Sequence, residues 1–444
     1  MLFVGCSLAI VSVLLLATDG EPRIQEVITY ELSSSPRPKR VIGQTNLKRI
    51  GGSEYYHYGR KTMHLPPELV DEIIDYLWDN VRSLRACCLT HRTWLPRSRF
   101  HLFRSIRFRK YGIDASTLRS QPHIARCVRE VTIEGDVYPE VTNSTLVDIG
   151  KVESLHLEAN KTHWSDVQRG LCRSQLPCFP RLKELTLQKV YFRSFAEMIS
   201  TIRQYQRLNS LSLDFEDWKY PAANIPDPNM VLSLPPLQRL QMRVNLVGSL
   251  PGPIPQILLN SAGAGLRHLT FDILTTPSRP PGKYPDRELS LMGHTNLSHN
   301  TSLESLTLRF PWCIRAPWIS SKEEQSMFSA VLSRIHSPKF RDLTLHISIP
   351  PTAYNDSRWL RRLDMRALDY IVPATKPSGK TLSLLPREDA KRAEGVAKKL
   401  KSVTLKLAFS RAMDVREFDI IEKAIAAQLP NLKSKGILRI LHVE

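Results

Sequence analysis

Along the second two-thirds of the chain, apolar residues recur as triplets at i, i+3 and i+5. The triplets are Val128-Val131-Ile133, Val152-Leu155-Leu157, Leu182-Leu185-Leu187, Leu208-Leu211-Leu213, Leu237-Leu240-Met242, Leu266-Leu269-Phe271, Leu303-Leu306-Leu308, Phe340-Leu343-Leu345 and Leu400-Val403-Leu405. The last two members of each lie two residues apart, which is the period of a strand with one face buried. Their starts are separated by 24, 30, 26, 29, 29, 37, 37 and 60 residues, so the motif repeats at a solenoid spacing that stretches toward the end. Helix-period segments stand between them: Phe195 to Tyr205 with Met198, Ile199 and Ile202, Glu323 to Ile335 with Met327, Phe328, Val331 and Leu332, and Phe418 to Leu429. The Pro-rich stretches 221–236, 250–255 and 277–285 read as loop insertions. Strand, turn and helix therefore alternate, and residues 111–444 are expected to form one irregular α/β solenoid with parallel strands on its inner curve.

If the triplets point to the core, the residues beside them line the concave face. These are Glu184, Thr186 and Gln188; Ser210, Ser212 and Asp214; Arg239, Gln241 and Arg243; His268, Thr270 and Asp272; Ser305, Thr307 and Arg309; Asp342, Thr344 and His346. Mixed acids, bases and hydroxyls with no convergent nucleophile or metal set suit protein recognition, and Gln188, Asp214, Arg243, Asp272, Arg309 and His346 are the candidate substrate-binding residues.

A different pattern occupies residues 61–108. Leu65-Pro66-Pro67-Glu68-Leu69 leads into Ile73, Ile74 and Leu77, a short amphipathic helix whose prolines sit where the first N–H groups have no intrahelical partner. Glu68, Asp71 and Glu72 suit the positive end of its dipole. Leu84, Cys88 and Leu89 repeat the spacing before Trp94 and Pro96, and Phe100, Leu102, Phe103 and Ile106 make a third set. A unit this small cannot enclose all of its apolar residues, which leaves a patch for a partner.

These residues resemble the F-box, in the form that heads fungal F-box proteins with degenerate leucine-rich tails. Leu65-Pro66-x-Glu68-Leu69 is similar to the L-P-x-E-[IL] opening, Cys88-Leu89-Thr90-His91-Arg92-Thr93-Trp94 to S-L-V-C-R-x-W, and Leu102-Phe103-x-x-Ile106 to the closing L-F-x-x-I. Cys88, Thr90 and His91 depart from that pattern. The resemblance implies a three-helix head that docks the Skp-type adaptor of a cullin–RING ubiquitin ligase through Leu65, Pro66, Glu68, Leu69, Ile73, Ile74, Leu77, Leu84, Cys88, Leu89 and Trp94. It implies that the leucine-rich-repeat-like body chooses a protein substrate, that the chain itself is not an enzyme, and that it works in the cytoplasm or nucleus.

Composition narrows the alternatives. The 444 residues are 42% hydrophobic and 24% charged, which suits a folded chain and excludes a polytopic membrane protein. The formal charge of +19 is concentrated in residues 60–110 and 358–411, but no aromatic interleaving accompanies it, so no nucleic-acid partner is expected. Seven cysteines form no C-x-x-C pair, and no metal or cofactor site is expected. Ala374 to Thr381 imitates a phosphate-binding loop, yet Ala374 replaces its first glycine and Pro377 removes an N–H from the cradle. No other catalytic motif occurs.

Residues 1–17 include an apolar run long enough for a signal-peptide core, with Arg23, Arg37, Lys39 and Arg40 after it. Three readings stand: a dispensable leader, an anchor leaving the body in the cytosol, or a secretory signal. The last would make the N-x-[ST] triplets at Asn143, Asn160, Asn296, Asn300 and Asn355 glycosylation sites and the chain a membrane-tethered or secreted leucine-rich binding protein. Residues 18–60 are polar and aperiodic and read as a disordered linker.

Overall fold

The computed structural model describes residues 28–29, 41–42, 65–108, 120–134, 149–163, 179–192, 194–215, 231–245, 254–274, 295–311, 334–349, 398–409 and 413–443, with 118, 332, 369, 395 and 396 besides. The chain divides into two units, Met1–His64 and Leu65–Glu444. In the first, β1 (Ile28–Thr29) pairs antiparallel with β2 (Val41–Ile42), inside the stretch read as a linker. The apolar run at 1–17 lies outside the described residues.

The second unit is α/β and begins with three helices: α1 (Pro67–Tyr76), α2 (Val81–Thr90) and α3 (Leu95–Leu102). Pro67 opens α1 at its first position, and the Asn80 side chain caps α2 by accepting the Ser83 N–H at 3.0 Å. Val70, Ile74 and Leu84 form a small core of their own, with Leu77, Trp94 and Leu102 packed against it.

An 11-stranded sheet follows, all parallel, with the strands side by side in chain order. They are β3 (Ser105–Phe108), β4 (Glu130–Glu134), β5 (Ser154–His163), β6 (Glu184–Tyr191), β7 (Ser210–Asp214), β8 (Arg239–Asn245), β9 (His268–Leu274), β10 (Ser305–Pro311), β11 (Asp342–Ile349), β12 (Ser402–Phe409) and β13 (Leu438–Val443). All nine triplets fall on β4–β12. β3 carries the spacing as well, in Phe103-Ile106-Phe108, where the sequence reading takes Phe103 and Ile106 for the close of the head. Ile106, read as the close of the head, is instead buried in β3 with Phe108 and belongs to the main core. β13 has no counterpart in the sequence reading: its register sets Leu438 and Ile440 beside Val403 and Leu405, and Lys435 stands where the first apolar residue of a triplet would be.

Two backbone devices hold the register. The first triplet residue closes a tight turn: Val152, Leu182, Leu208 and Leu303 donate their N–H groups to Ile149, Phe179, Tyr205 and Asn300 carbonyls. The carbonyl just ahead of each strand then accepts two N–H groups from the next repeat, as Glu153 does from Lys183 and Glu184 and Arg267 does from Glu304 and Ser305. The same fork recurs at Arg104, Arg129, Lys183, Asn209, Gln238, Glu304 and Arg341, so polar groups at the strand starts are satisfied without regard to side-chain identity.

Among the described residues, only one face of the sheet is covered. The triplet leucines pack there with Met198, Ile199 and Ile202 of α5 (Phe195–Gln204), Ile257 and Leu258 of α6 (Ile254–Ala262), Ile421 and Ile425 of α7 (Val415–Gln428), Ile124 of α4 (Pro122–Ala125) and Leu432 of α8 (Pro430–Ser434). α6 starts inside the 250–255 stretch read as a loop, with Pro255 in its first turn where a missing N–H costs nothing. α7 starts before Phe418 because the Asp414 side chain caps it at the Arg416 N–H. The segment Glu323 to Val331, the loop at 277–285 and Ala374 to Thr381 lie outside the described residues. Parallel sheets are ordinarily covered on both faces. Here β11 and β12 alternate buried with partly exposed residues throughout, so among the described residues the second face is open.

Candidate functional site

Two surfaces carry the candidate residues. On the helical head, α1 has a wide apolar face of which tertiary packing covers one half. Val70, Ile74 and Leu77, four and three residues apart, turn toward α2 and α3. Leu65, Leu69, Ile73 and Tyr76 make the adjacent stripe, and Leu69 is 46% and Tyr76 74% exposed. The sequence reading names Leu69, Ile73, Ile74 and Leu77 as the apolar positions of this helix and does not include Val70, which the helix buries beside Ile74. On α2 the inward residues are Leu84 and Cys87, so Cys88 is half-buried and Leu89 is 89% exposed.

Of the candidate adaptor contacts, Leu65, Pro66, Glu68, Leu69 and Leu89 are therefore exposed, and Ile73, Leu77, Cys88 and Trp94 half-buried. Ile74 and Leu84 are not surface residues: they are the centre of the head's core and cannot touch a partner. His91 orders the α2–α3 turn, its Nδ1 accepting the Thr93 N–H at 3.2 Å. α3 is tied to α1 by Arg97, which donates two hydrogen bonds to Asp75, and by His101, whose Nε2 lies 2.7 Å from the same carboxylate. The Phe100 ring is sandwiched between Arg97 and Arg129, with guanidinium carbons 5.4 and 5.6 Å from its centroid, which joins the head to the turn before β4.

The Arg97 hydrogen bonds hold the Asp75 carboxyl down to about 2, against a partial upward push from burial. A depressed carboxylate stabilises the fold fully above its unfolded value near 4 and loses that contribution as the pH falls toward 2. The parent is expected to be more stable than Asp75→Asn above about pH 4, and the gap, followed by circular dichroism in denaturant, to close as the pH falls toward 2. Since the pair is partly solvated, the difference should be small.

The open sheet face is organised in rows by the strand register. The central row is almost wholly hydroxyl and amide: Thr132, Thr186, Ser212, Gln241, Thr270, Thr307, Thr344 and Thr404, with His156 among them. The next row takes the residue after each triplet. It runs Glu134, Glu158, Gln188, Asp214, Arg243, Asp272, Arg309, His346 and Lys406, acidic at the β4–β7 end and basic at β10–β12.

Within that row the candidate substrate contacts separate. Arg243 donates from Nε to Asp272 at 3.1 Å and places Nη1 3.5 Å from Asp214, and both carboxylates are buried, Asp214 to 3% exposure. These three are a structural ion cluster rather than a ligand-facing set, a correction to the sequence reading. Burial opposes the Arg243 charge, but the two acids outweigh it and hold its pKa up. Gln188, Arg309 and His346 remain accessible. Burial, then the positive charges of Arg309 and Lys406, pushes the His346 imidazole down. Lys406 was missed, although it follows Leu405 as His346 follows Leu345 and could have been read from the same offset.

The Asn300 amide is fully buried and donates to the Leu259 and Gly263 carbonyls, both at 3.0 Å, so this N-x-[ST] triplet is closed to a glycan in the folded chain. The Asn296 side chain accepts the Ser298 N–H; Asn143 and Asn355 and the Asn160 side chain lie outside the described residues. Among the described residues no group of His, Cys, Asp and Glu is placed to hold a metal ion, and no helix is long and apolar enough to cross a membrane. A comparison with protein-family models and one with curated proteins each find no match to this chain.

Proposed function

We propose that the chain is a substrate-receptor subunit of an SCF-type ubiquitin ligase: α1–α3 form an F-box-like head that docks a Skp-type adaptor, and the sheet is a leucine-rich-repeat-like body that binds a protein substrate on its open face. The observation that carries this reading is the uncovered apolar stripe Leu65, Leu69, Ile73 and Tyr76 on a three-helix unit joined directly to a one-sided parallel sheet. An apolar helix face of this kind suits a partner's groove, and a sheet with one open polar face suits an extended protein surface. Bond-making chemistry then belongs to other subunits, and the chain works in the cytoplasm or nucleus. A leucine-rich binding protein without a ligase role would use the sheet in the same way but has no need of the head's stripe.

Pulldown of the full chain with purified Skp adaptor separates the two. The parent should bind, and Leu65→Asp with Leu69→Asp, which puts two charges into the stripe without touching Val70, Ile74 or Leu84, should weaken binding by at least about tenfold. Capture of neither form would remove the ligase role.

A further inference from the structure

We infer that the β10–β12 end of the open sheet face is a binding site for an extended acidic peptide segment, held by Arg309, His346 and Lys406. The inference rests on reading the open face as the partner-binding surface and adds what that partner must carry.

The register sets these residues side by side: Arg309 pairs with His346, and His346 with Lys406, on three neighbouring strands. Like charges on adjacent positions of a sheet repel, and folds ordinarily answer them with an acid. Three arginines of this face are answered in that way. Arg239 lies 3.7 Å from Glu184, Arg107 3.2 Å from Glu134, and Arg243 stands between two aspartates. Arg309 and Lys406 have no hydrogen bond or ion pair with any described residue. Asp272, the neighbour of Arg309 on β9, is turned away to Arg243 at 3.1 Å. Asp342, the one acid of β11 on this face, sits four residues before His346 and accepts from the Ser402 hydroxyl at 2.7 Å. A fold that pairs Arg107, Arg239 and Arg243 with acids and leaves Arg309 and Lys406 without one among the described residues has kept this end for an anion from outside.

The geometry selects the class of anion. Parallel strands lie about 4.8 Å apart, so Arg309 and Lys406 are roughly 10 Å apart at the backbone. An extended peptide crossing the strands presents same-side residues about every 7 Å, and two carboxylates at i and i+2 fall within reach of two long basic side chains. Thr307, Thr344 and Thr404 supply hydroxyls on the next row for its main chain. A nucleic acid fits less well on two grounds. No Phe, Tyr or Trp stands in the rows of β10–β12 on this face to stack a base, and a strand following the face toward β4 would meet Asp214, Glu184, Glu158 and Glu130. The ligand's negative charge is confined to one end.

The test uses the full chain and a fluorescein-labelled peptide of four Glu-Ser repeats, with a Gln-Ser peptide of equal length as the uncharged probe. By fluorescence anisotropy at low salt, the Glu-Ser peptide should bind at least about tenfold more tightly than its Gln-Ser counterpart. Arg309→Gln with Lys406→Gln should abolish that preference, while Arg267→Gln, at the strand starts away from the trio, should keep it. Thermal melting of the double variant should be no lower than that of the parent, since a repulsion has been removed. Equal affinity for both peptides, an undiminished preference in the double variant, or tighter capture of a single-stranded oligonucleotide of equal charge would overturn the assignment. Failure of adaptor pulldown with peptide binding intact would remove the ligase reading alone, and the converse would remove this site alone.

Discussion

Replacing Phe271 by alanine is expected to cost about 3–5 kcal/mol of unfolding free energy, the range for removing a large aromatic from a packed core. Phe271 is 1% exposed on β9, with Met242 of β8 and Leu308 of β10 as its register neighbours on the covered face. Six strands precede β9 and four follow it, so the cavity opens in the interior of the array and no chain end can collapse into it. In a structure whose repeats touch only their neighbours, weakening one interface also uncouples the halves it joins. Urea unfolding should therefore show a lower midpoint together with a broadened or split transition. A shift under about 1 kcal/mol with an unchanged slope would mean that the Phe271 site closes by local repacking and that the core is less continuous than its burial implies.

The second large effect is expected at Arg243. Substitution by methionine keeps the length and apolar stem but leaves Asp214 and Asp272 without the cation that spans them. Breaking a fully buried pair costs about 3–5 kcal/mol. Because Arg243 is itself partly exposed, about 2–4 kcal/mol is the appropriate expectation after allowance for solvent screening. Most of this cost is a stranded carboxylate rather than a lost contact, so Asp214→Asn in the Arg243→Met background should recover a large share of it. Denaturant unfolding of the two single variants and the double variant gives that coupling directly. Additive losses would show that Asp214 does not depend on Arg243. Peptide binding at the β10–β12 end should survive the change, because Arg309 and Lys406 lie on other strands.

Much of the architecture was legible because it depends on a short-range pattern. The i, i+3, i+5 triplets located nine of the eleven sheet strands, since burying one face of a strand demands alternation whatever the partner strand is. β3 and β13 escaped for different reasons: the sequence reading assigns Phe103 and Ile106 of the β3 triplet Phe103-Ile106-Phe108 to the close of the head, and at β13 Lys435 stands where the register would put the first apolar residue. The sequence reading misses α6, placing its first residues in a Pro-rich loop although a proline is tolerated in a first turn, and α7 begins a few residues earlier than read because an aspartate caps it.

The site was legible to a lesser degree. Apolar residues cover more than half of α1, so periodicity alone could not say whether Val70 or Leu69 would face α2 and α3. Packing against Leu84 and Trp94 decided it, leaving Leu65 and Leu69 outside and placing Ile74 beyond a partner's reach. On the sheet, offsets from the triplets correctly identified the residues of the open face, but charge type carried no information about use. Arg243 and Arg309 occupy the same offset, one locked between two aspartates and the other without an acidic partner among the described residues.

By itself, then, the sequence determined that a small helical unit precedes a repeating α/β array, and which face of each strand is polar, because both follow from periods of a few residues. The tertiary structure alone decided which of those polar residues meet. Arg309, His346 and Lys406 are 37 and 60 residues apart in the chain, and only the pairing of β10, β11 and β12 in register sets two cations and the imidazole between them in a row. Register is a property of neighbouring strands and their shared backbone hydrogen bonds, so no window along one strand contains it.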